Sequence, residues 1–271
     1  MMATAFEFKD VTFAYRSHPA LNGVSFSIRL GERVALLGAN GSGKSTLLRM
    51  MDALCFAAEG TATALSAPLT EAAMQDDRTN FAFRRRVGLV FQNPDVQLFN
   101  PTVMDELAFG PLQLGWDKPK VRDAIAAMLA RFNIEQVKDR PPHRLSGGEK
   151  KRVALASVLI TEPEILLLDE PTAALDPASR ADLVGLLARE PVAGRTVVTA
   201  THDLDIVEDI ADRAIVLSEG RIAADGPALD ILHDIELLRR THLIFEHRHS
   251  HGGHPSTAHG HLHSGIGPAE A

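Results

Sequence analysis

The stretch Gly38-Ala39-Asn40-Gly41-Ser42-Gly43-Lys44-Ser45 satisfies the pattern GxxxxGK[ST], and it stands between the apolar run Val34–Leu37 and a helical pattern that starts near Lys44. Few folds can accept it. Glycines let the chain curl until successive N–H groups point inward, and a helix N-terminus adds partial positive charge, so strand, loop and helix together cradle the β- and γ-phosphates of a nucleotide. Lys44 is expected to neutralise phosphate charge and the Ser45 hydroxyl to hold Mg²⁺. Gly38, Asn40, Gly41, Ser42, Gly43 and Thr46 complete the nucleotide-binding set. An ordinary glycine-rich turn has no use for a lysine and a hydroxyl at these offsets.

A second apolar run, Ile165–Leu168, ends in Asp169-Glu170. A buried strand of this kind delivers acids to a nucleotide at its C-terminal edge. Asp169 is then expected to ligate Mg²⁺ through water, and Glu170 to polarise the water that attacks the γ-phosphate. Further along, Leu145-Ser146-Gly147-Gly148-Glu149 precedes the helical stretch Lys150–Leu159, with Ser146 at the N-cap. Two glycines directly after the cap are wasteful for capping alone; they make sense if a second phosphate approaches bare N–H groups. Two phosphate-binding turns in one chain suggest that two chains share each nucleotide.

The rest of the chain fits a parallel α/β core with additions. Phe6–Ile28 alternates apolar and polar residues with turn signals at His18-Pro19 and Asn22-Gly23, which predicts antiparallel strands. Thr196–Thr199 and Ala214–Leu217 read as further buried strands, Val121–Phe132 as an inserted helix, and Asp176-Pro177 as the start of a helix carrying Leu183, Leu186 and Leu187. After Asp225-Gly226-Pro227 an amphipathic helix over 228–245 runs into 246–271, dense in His, Gly, Ser and Pro, the composition of a disordered tail. His242, His247, His249, His251, His254, His259, His261 and His263 are eight of the chain's 12 histidines.

Charge narrows the partners. The 28 Lys and Arg against 35 Asp and Glu give a net charge of −7, which argues against nucleic acid; Arg84-Arg85-Arg86 and Lys150-Lys151-Arg152 are too short to make a basic stripe. Cys55 is the lone cysteine and so cannot form an internal disulfide. No segment approaches the ~18 apolar residues of a membrane span, and Met1–Asp10 does not read as a signal peptide. Any link to a membrane therefore runs through partners.

Taken in order, the phosphate loop, LSGGE, LLLDE followed by Pro171-Thr172, Ala174-Leu175-Asp176, and Thr201-His202-Asp203 resemble the nucleotide-binding subunit of an ATP-binding cassette (ABC) transporter, over roughly Phe6–Asp225. The resemblance implies an α/β P-loop NTPase fold. Its parts are a RecA-like parallel sheet core, an antiparallel β subdomain and a helical signature subdomain at about 93–160, in a cassette spanning 1–227. It implies ATP and Mg²⁺, with Tyr15 stacking on adenine, Gln92 contacting Mg²⁺ and the attacking water, and His202 keeping γ-phosphate and base in register. Ser146, Gly147 and Gly148 would complete a partner's nucleotide site, and Asp176 would lie between protomers of a homodimer or heterodimer. Glu149 departs from the commonest signature, which has glutamine.

A narrower resemblance covers Phe91–Phe99, Thr102-Val103 and Ala108-Phe109-Gly110-Pro111. This stretch is similar to the ATPases of energy-coupling factor importers, which take up vitamins and transition-metal ions, although an acidic residue is usual where Val96 stands. It implies a surface, with Leu98 and Phe99 outside the core, that docks a transmembrane coupling subunit working with a cargo-binding membrane subunit. The protein is then peripheral, at the cytoplasmic face of the cell membrane. The tail histidines His247, His249, His251, His254, His259, His261 and His263 favour nickel or cobalt as cargo, since imidazole suits such ions. A vitamin-importing ATPase and a soluble non-transport ABC ATPase are the alternatives.

Overall fold

In the computed structural model, which describes residues 3–189 and 194–244, the chain begins with a hairpin. β1 (Thr4–Tyr15) pairs antiparallel with β2 (His18–Arg29), burying Phe6, Phe8, Val11, Val24 and Ile28. The reversal falls at Arg16-Ser17, with Arg16 at φ 54. His18-Pro19 and Asn22-Gly23, expected as turns, lie inside β2 instead. The reason is position: β2 is an edge strand whose register with β1 shifts repeatedly, so a missing N–H and a flexible residue are tolerated there.

β3 (Arg33–Leu37) leads through the phosphate loop into α1 (Lys44–Met51). β4 (Glu59–Ala64) and β5 (Ala67–Pro68) return to the first sheet, giving the order β2-β1-β4-β5. α2 (Glu71–Met74), α3 (Asp77–Arg84) and β6 (Val87–Val90) follow, then three helices that pack together: α4 (Val103–Gln113), α5 (Lys118–Phe132) and α6 (Gly147–Leu159). The second half runs β7 (Ile165–Asp169), α7 (Pro177–Arg189), β8 (Thr196–Thr201), α8 (Val207–Ile210), β9 (Arg213–Ser218) and β10 (Arg221–Pro227). It closes with α9 (Ala228–His233) and α10 (Ile235–Arg240).

The second sheet has the order β10-β9-β3-β8-β7-β6 among the described residues. From β9 to β6 it is parallel, and β10 adds an antiparallel edge. Alternate residues serve opposite faces: Val34, Leu36, Ile165 and Leu167 join the cluster formed with β1, β2 and α1, whereas Ala35, Leu37, Leu166 and Leu168 join the helical side. Each fully buried leucine or isoleucine in such a strand contributes roughly 1.5–3 kcal/mol, and the unbroken run in β7 supplies both clusters. β6 was not anticipated from the sequence. Gly88 lets α6 lie directly on it, since a Cβ there would meet Val158 at 2.4 Å.

Register sets the site. Leu37 pairs with Thr201, Asp169 with Ala200 and Val90 with Leu168, so β3, β8, β7 and β6 all end level on one sheet edge, where ligands bind in open parallel sheets. Of the single helix expected over 228–245, the described part, to residue 244, holds two short ones. Asp234 breaks it at φ −81 and ψ 81, and its carboxylate accepts the Leu237 N–H at 2.9 Å, capping α10.

Candidate functional site

The phosphate loop ends at Gly43, which caps α1 at φ 110 without any side-chain bond. Only glycine serves there, because a Cβ would lie 2.6 Å from the Ala20 carbonyl oxygen. The first N–H groups of α1 are therefore left to a ligand or to water. Lys44, 6% exposed, donates its ammonium to the carbonyls of Gly38 (2.6 Å) and Ala39 (3.1 Å) and lies 3.6 Å from Glu170 Oε1. Burial lowers its pKa, opposed by the charges of Glu170 and Asp169. The Ser42 hydroxyl is buried without a hydrogen-bond partner. An orphaned hydroxyl beside an uncapped helix start and a buried ammonium is what a phosphate group would satisfy.

Ser45 Oγ donates to Asp169 Oδ1 at 3.0 Å. Burial pushes the Asp169 carboxyl up, and the Ser45 hydrogen bond opposes the shift. A hydroxyl and a carboxylate side by side are hard oxygen donors, a set that fits Mg²⁺. Glu170 follows in the left-handed region at φ 45, a conformation that costs a non-glycine residue on the order of 1–3 kcal/mol. Its carboxylate faces His202 Nδ1 at 2.8 Å and accepts from Thr201 Oγ1 at 3.2 Å. Lys44, Ser45, Asp169, Glu170 and His202 thus form one contact cluster drawn from the ends of β3, β7 and β8.

The other expected residues are arranged around this cluster or apart from it. Gln92 is exposed, and its main-chain carbonyl accepts from the Lys151 ammonium. Tyr15 is 43% exposed, its hydroxyl 3.4 Å from Arg49 Nη1, while Asn40 is exposed and Thr46 buried. Among the described residues no hydrogen bond joins Ser146, Gly147 or Gly148 to the phosphate loop. Ser146 instead forms a capping box at the head of α6: its Oγ accepts the Glu149 N–H at 3.3 Å and its own N–H donates to Glu149 Oε2 at 2.8 Å. That bond holds Glu149 below the usual carboxylate range. The glycines are not idle within one chain either, since a Cβ on Gly148 would meet Ser179 Oγ at 2.8 Å. Asp176 is exposed and caps α7, accepting the N–H groups of Ala178 (3.1 Å) and Ser179 (3.0 Å); the Ser179 hydroxyl first, and then these N–H groups, lower its pKa.

A second surface lies on the helical side. Val96, Phe99, Phe109 and Leu112 are exposed, and the rings of Phe99 and Phe109 meet edge to face at 5.0 Å. Leu98, expected outside the core with Phe99, is instead only 7% exposed, because the turn at 94–98 points it inward against α6. The expected metal-binding residues His247, His249, His251, His254, His259, His261 and His263 lie outside the described residues. Among the described residues no group of three or more His, Cys, Asp or Glu could hold a metal ion, and no helix is long and apolar enough to cross a membrane.

Three contacts escaped the sequence reading. Thr201 braces Glu170; Arg180 Nη2 in α7 ties to Asp203 Oδ1 at 2.8 Å, next to His202; and Lys151 bonds two carbonyls at the site. Lys151 carried a signal: it shares a face with Leu155 and Leu159 at helical spacing, so a lysine stands on a buried stripe.

A family described as ABC transporter matches residues 21–173. The chain is 58% identical over 248 residues to the nickel import ATP-binding protein NikO of Rhodobacter capsulatus, covering 90% of this chain and 97% of that protein. It is 41% identical to the energy-coupling factor transporter ATP-binding protein EcfA2 of Methanospirillum hungatei, covering 89% and 60%. Among solved structures, cbiO1 from Clostridium perfringens, part of the ABC transporter complex cbiONQ, aligns with TM-score 0.75 and 34% identity over 89% of this chain and 95% of that one. The cassette MJ0796, solved as a dimer bound to ADP and Pi, aligns with TM-score 0.74 and 28% identity over 82% and 98%.

Proposed function

The chain belongs to the ABC transporter family as the ATP-hydrolysing subunit of an importer, and from that premise we propose that it powers uptake of a transition-metal ion, nickel or cobalt, through membrane partners of the energy-coupling factor type. The observation that carries the chemistry is the cluster of Lys44, Ser45, Asp169, Glu170 and His202. What supports the cargo is 58% identity, along nearly the whole of both chains, to a protein named for nickel import.

Each residue then has a task. Lys44, with the bare N–H groups of Gly41, Gly43, Lys44 and Ser45 and the Ser42 hydroxyl, holds the β- and γ-phosphates, and Gly38, Asn40 and Thr46 shape the loop. Ser45, Asp169 and Gln92 hold Mg²⁺. That ion, when bound, supplies neutralising charge to the phosphate oxygens. Tyr15 covers the adenine. Glu170 takes the proton of the attacking water, and an ionised carboxylate can only accept, so the hydrogen between it and His202 sits on Nδ1. His202 keeps base and γ-phosphate aligned.

Ser146, Gly147 and Gly148 make no hydrogen bond to this cluster among the described residues and serve the nucleotide of a second cassette, with Asp176 at the seam. The active unit is a dimer, of like or unlike cassettes, around two ATP molecules. The Val96, Phe99, Phe109 and Leu112 surface receives the transmembrane coupling subunit, which holds the protein at the cytoplasmic face of the membrane. The test is ATP-driven uptake into vesicles carrying this protein with its membrane subunits. Nickel or cobalt should accumulate, and Glu170→Gln should abolish accumulation; uptake of a vitamin with neither metal would overturn the cargo.

A further inference from the structure

The buried ammonium of Lys151 has none of these tasks. It lies near the start of α6, 6% exposed, and donates to Gln92 O and, at 3.3 Å, to Glu170 O. Taking an ammonium out of water is unfavourable, and a methionine of similar volume would fill this position without that cost. The two carbonyls it bonds belong to the segments that carry the base and the contact to Mg²⁺ and water. Glu170 stands in the left-handed region, where a non-glycine residue stays only if its surroundings hold it. Its N–H is fixed by the Ala200 carbonyl at 2.9 Å, and its own carbonyl by Lys151.

The Gln92 segment is fastened to the same helix at further points. Lys150 Nζ meets Asp95 Oδ1 at 2.6 Å. Gln97 Nε2 donates to Ala154 O (2.8 Å) and Ser157 Oγ (3.2 Å), while Gln97 Oε1 accepts the Phe91 N–H at 3.1 Å. Residues 91–97 therefore ride on α6, and Lys151 extends that attachment across to the strand end bearing Glu170.

We propose that Lys151 is a positioning residue whose ammonium locks the backbone at Glu170 to the Gln92 segment and so aims the Glu170 carboxylate. This rests on Glu170 being the base. The ammonium donates with full charge to two carbonyls arriving from separate segments; methionine has no donor for either, and the glutamine amide, one bond shorter and uncharged, holds them only weakly, so each neutral variant frees Glu170 to leave its strained conformation.

The experiment is steady-state ATPase kinetics of the full chain for Lys151→Met, Lys151→Gln and Lys151→Arg, in wild-type and Glu170→Gln backgrounds. Lys151→Met and Lys151→Gln should each lower kcat about 10- to 100-fold with KM within about twofold, because the loss falls on the transition state. Lys151→Arg, which keeps charge and donors, should restore kcat to within about threefold of wild type. In the Glu170→Gln background the same changes should cost less than about twofold more, as expected for residues acting through one another. Equal losses in both backgrounds, or unchanged kcat in either neutral variant, would overturn the proposal. If Lys151→Met does not fold, Lys151→Gln and Lys151→Arg decide by the same comparison. Full turnover in Glu170→Gln alone would overturn the base assignment instead.

Discussion

His202 Nδ1 stands 2.8 Å from Glu170 Oε1 across 32 residues of sequence. The register of two neighbouring parallel strands makes the contact. Asp169 pairs with Ala200, so the residue after β7 and the residues closing β8 meet at the sheet edge, with Thr201 bracing the other carboxylate oxygen.

Hydrolysis should depend on Glu170 far more than binding does, because a general base acts in the transition state. Glu170→Gln should bind ATP and turn over ~10²–10⁴-fold more slowly, about 3–5 kcal/mol of barrier. Lys44→Ala, by contrast, should weaken nucleotide binding itself. Single-turnover hydrolysis beside equilibrium binding of a fluorescent nucleotide separates the two.

Light scattering of the Glu170→Gln protein should show dimer with Mg·ATP and more monomer without it. If each site is built from two chains, mixing Lys44→Ala with Ser146→Arg protomers leaves one intact composite site per heterodimer. Activity should return on mixing, although each variant alone is inactive.

The exposed aromatic pair rests on a buried acid. Glu106, 4% exposed, accepts through Oε2 from the N–H groups of Phe99 (3.0 Å) and Asn100 (2.9 Å) and from Asn100 Nδ2 (3.1 Å). Hydrogen bonds to a charged group contribute about 1.5–3 kcal/mol each, so Glu106→Ala should loosen the turn that presents Phe99. Co-purification with the membrane subunits should fall for Glu106→Ala and for Phe99→Ala. ATPase activity of the isolated chain should stay within about twofold of wild type, since neither residue touches the nucleotide site.

Stability should carry a pH signature from α1. Burial pushes the Asp52 carboxyl up from 3.8 to about 7, although Arg84 Nη1 lies 3.0 Å away. A carboxyl raised in the folded state stabilises the fold fully only below its unfolded pKa, and the benefit drains away as pH rises through the folded value. From about pH 5 to about pH 8 the wild-type Tm should therefore fall relative to that of Asp52→Asn, read by scanning calorimetry in matched buffers.

Truncation after Phe245 removes His247, His249, His251, His254, His259, His261 and His263 and leaves the catalytic cluster whole. Nickel or cobalt binding measured by calorimetry should largely disappear, while ATPase activity persists. Undiminished metal binding by the truncated protein would remove the tail from the argument for a metal cargo.

By itself the sequence determined the phosphate loop, the apolar strands around it and the acids at the end of β7. Each is written in contiguous residues: a hydrophobic run long enough only for a buried strand, then a short motif whose backbone chemistry is local. It also held the signature turn and, in Ser146 and Glu149 three residues on, the pattern of its capping box, though the fit of Gly148 against Ser179 was not legible. Tertiary structure alone decided the rest. Whether Pro19 and Gly23 turn the chain or ride in an edge strand depends on which neighbour lies beside β2. Whether 228–245 is one helix or two depends on Asp234 finding the Leu237 N–H rather than continuing the spiral. Lys151 looked like part of a short basic run, and only the approach of two carbonyls, 59 and 19 residues away, turned its charge into a buried bridge. Contacts of that kind follow from strand order and helix placement, which no local stretch of sequence encodes, because loop length hardly constrains which distant groups finally meet.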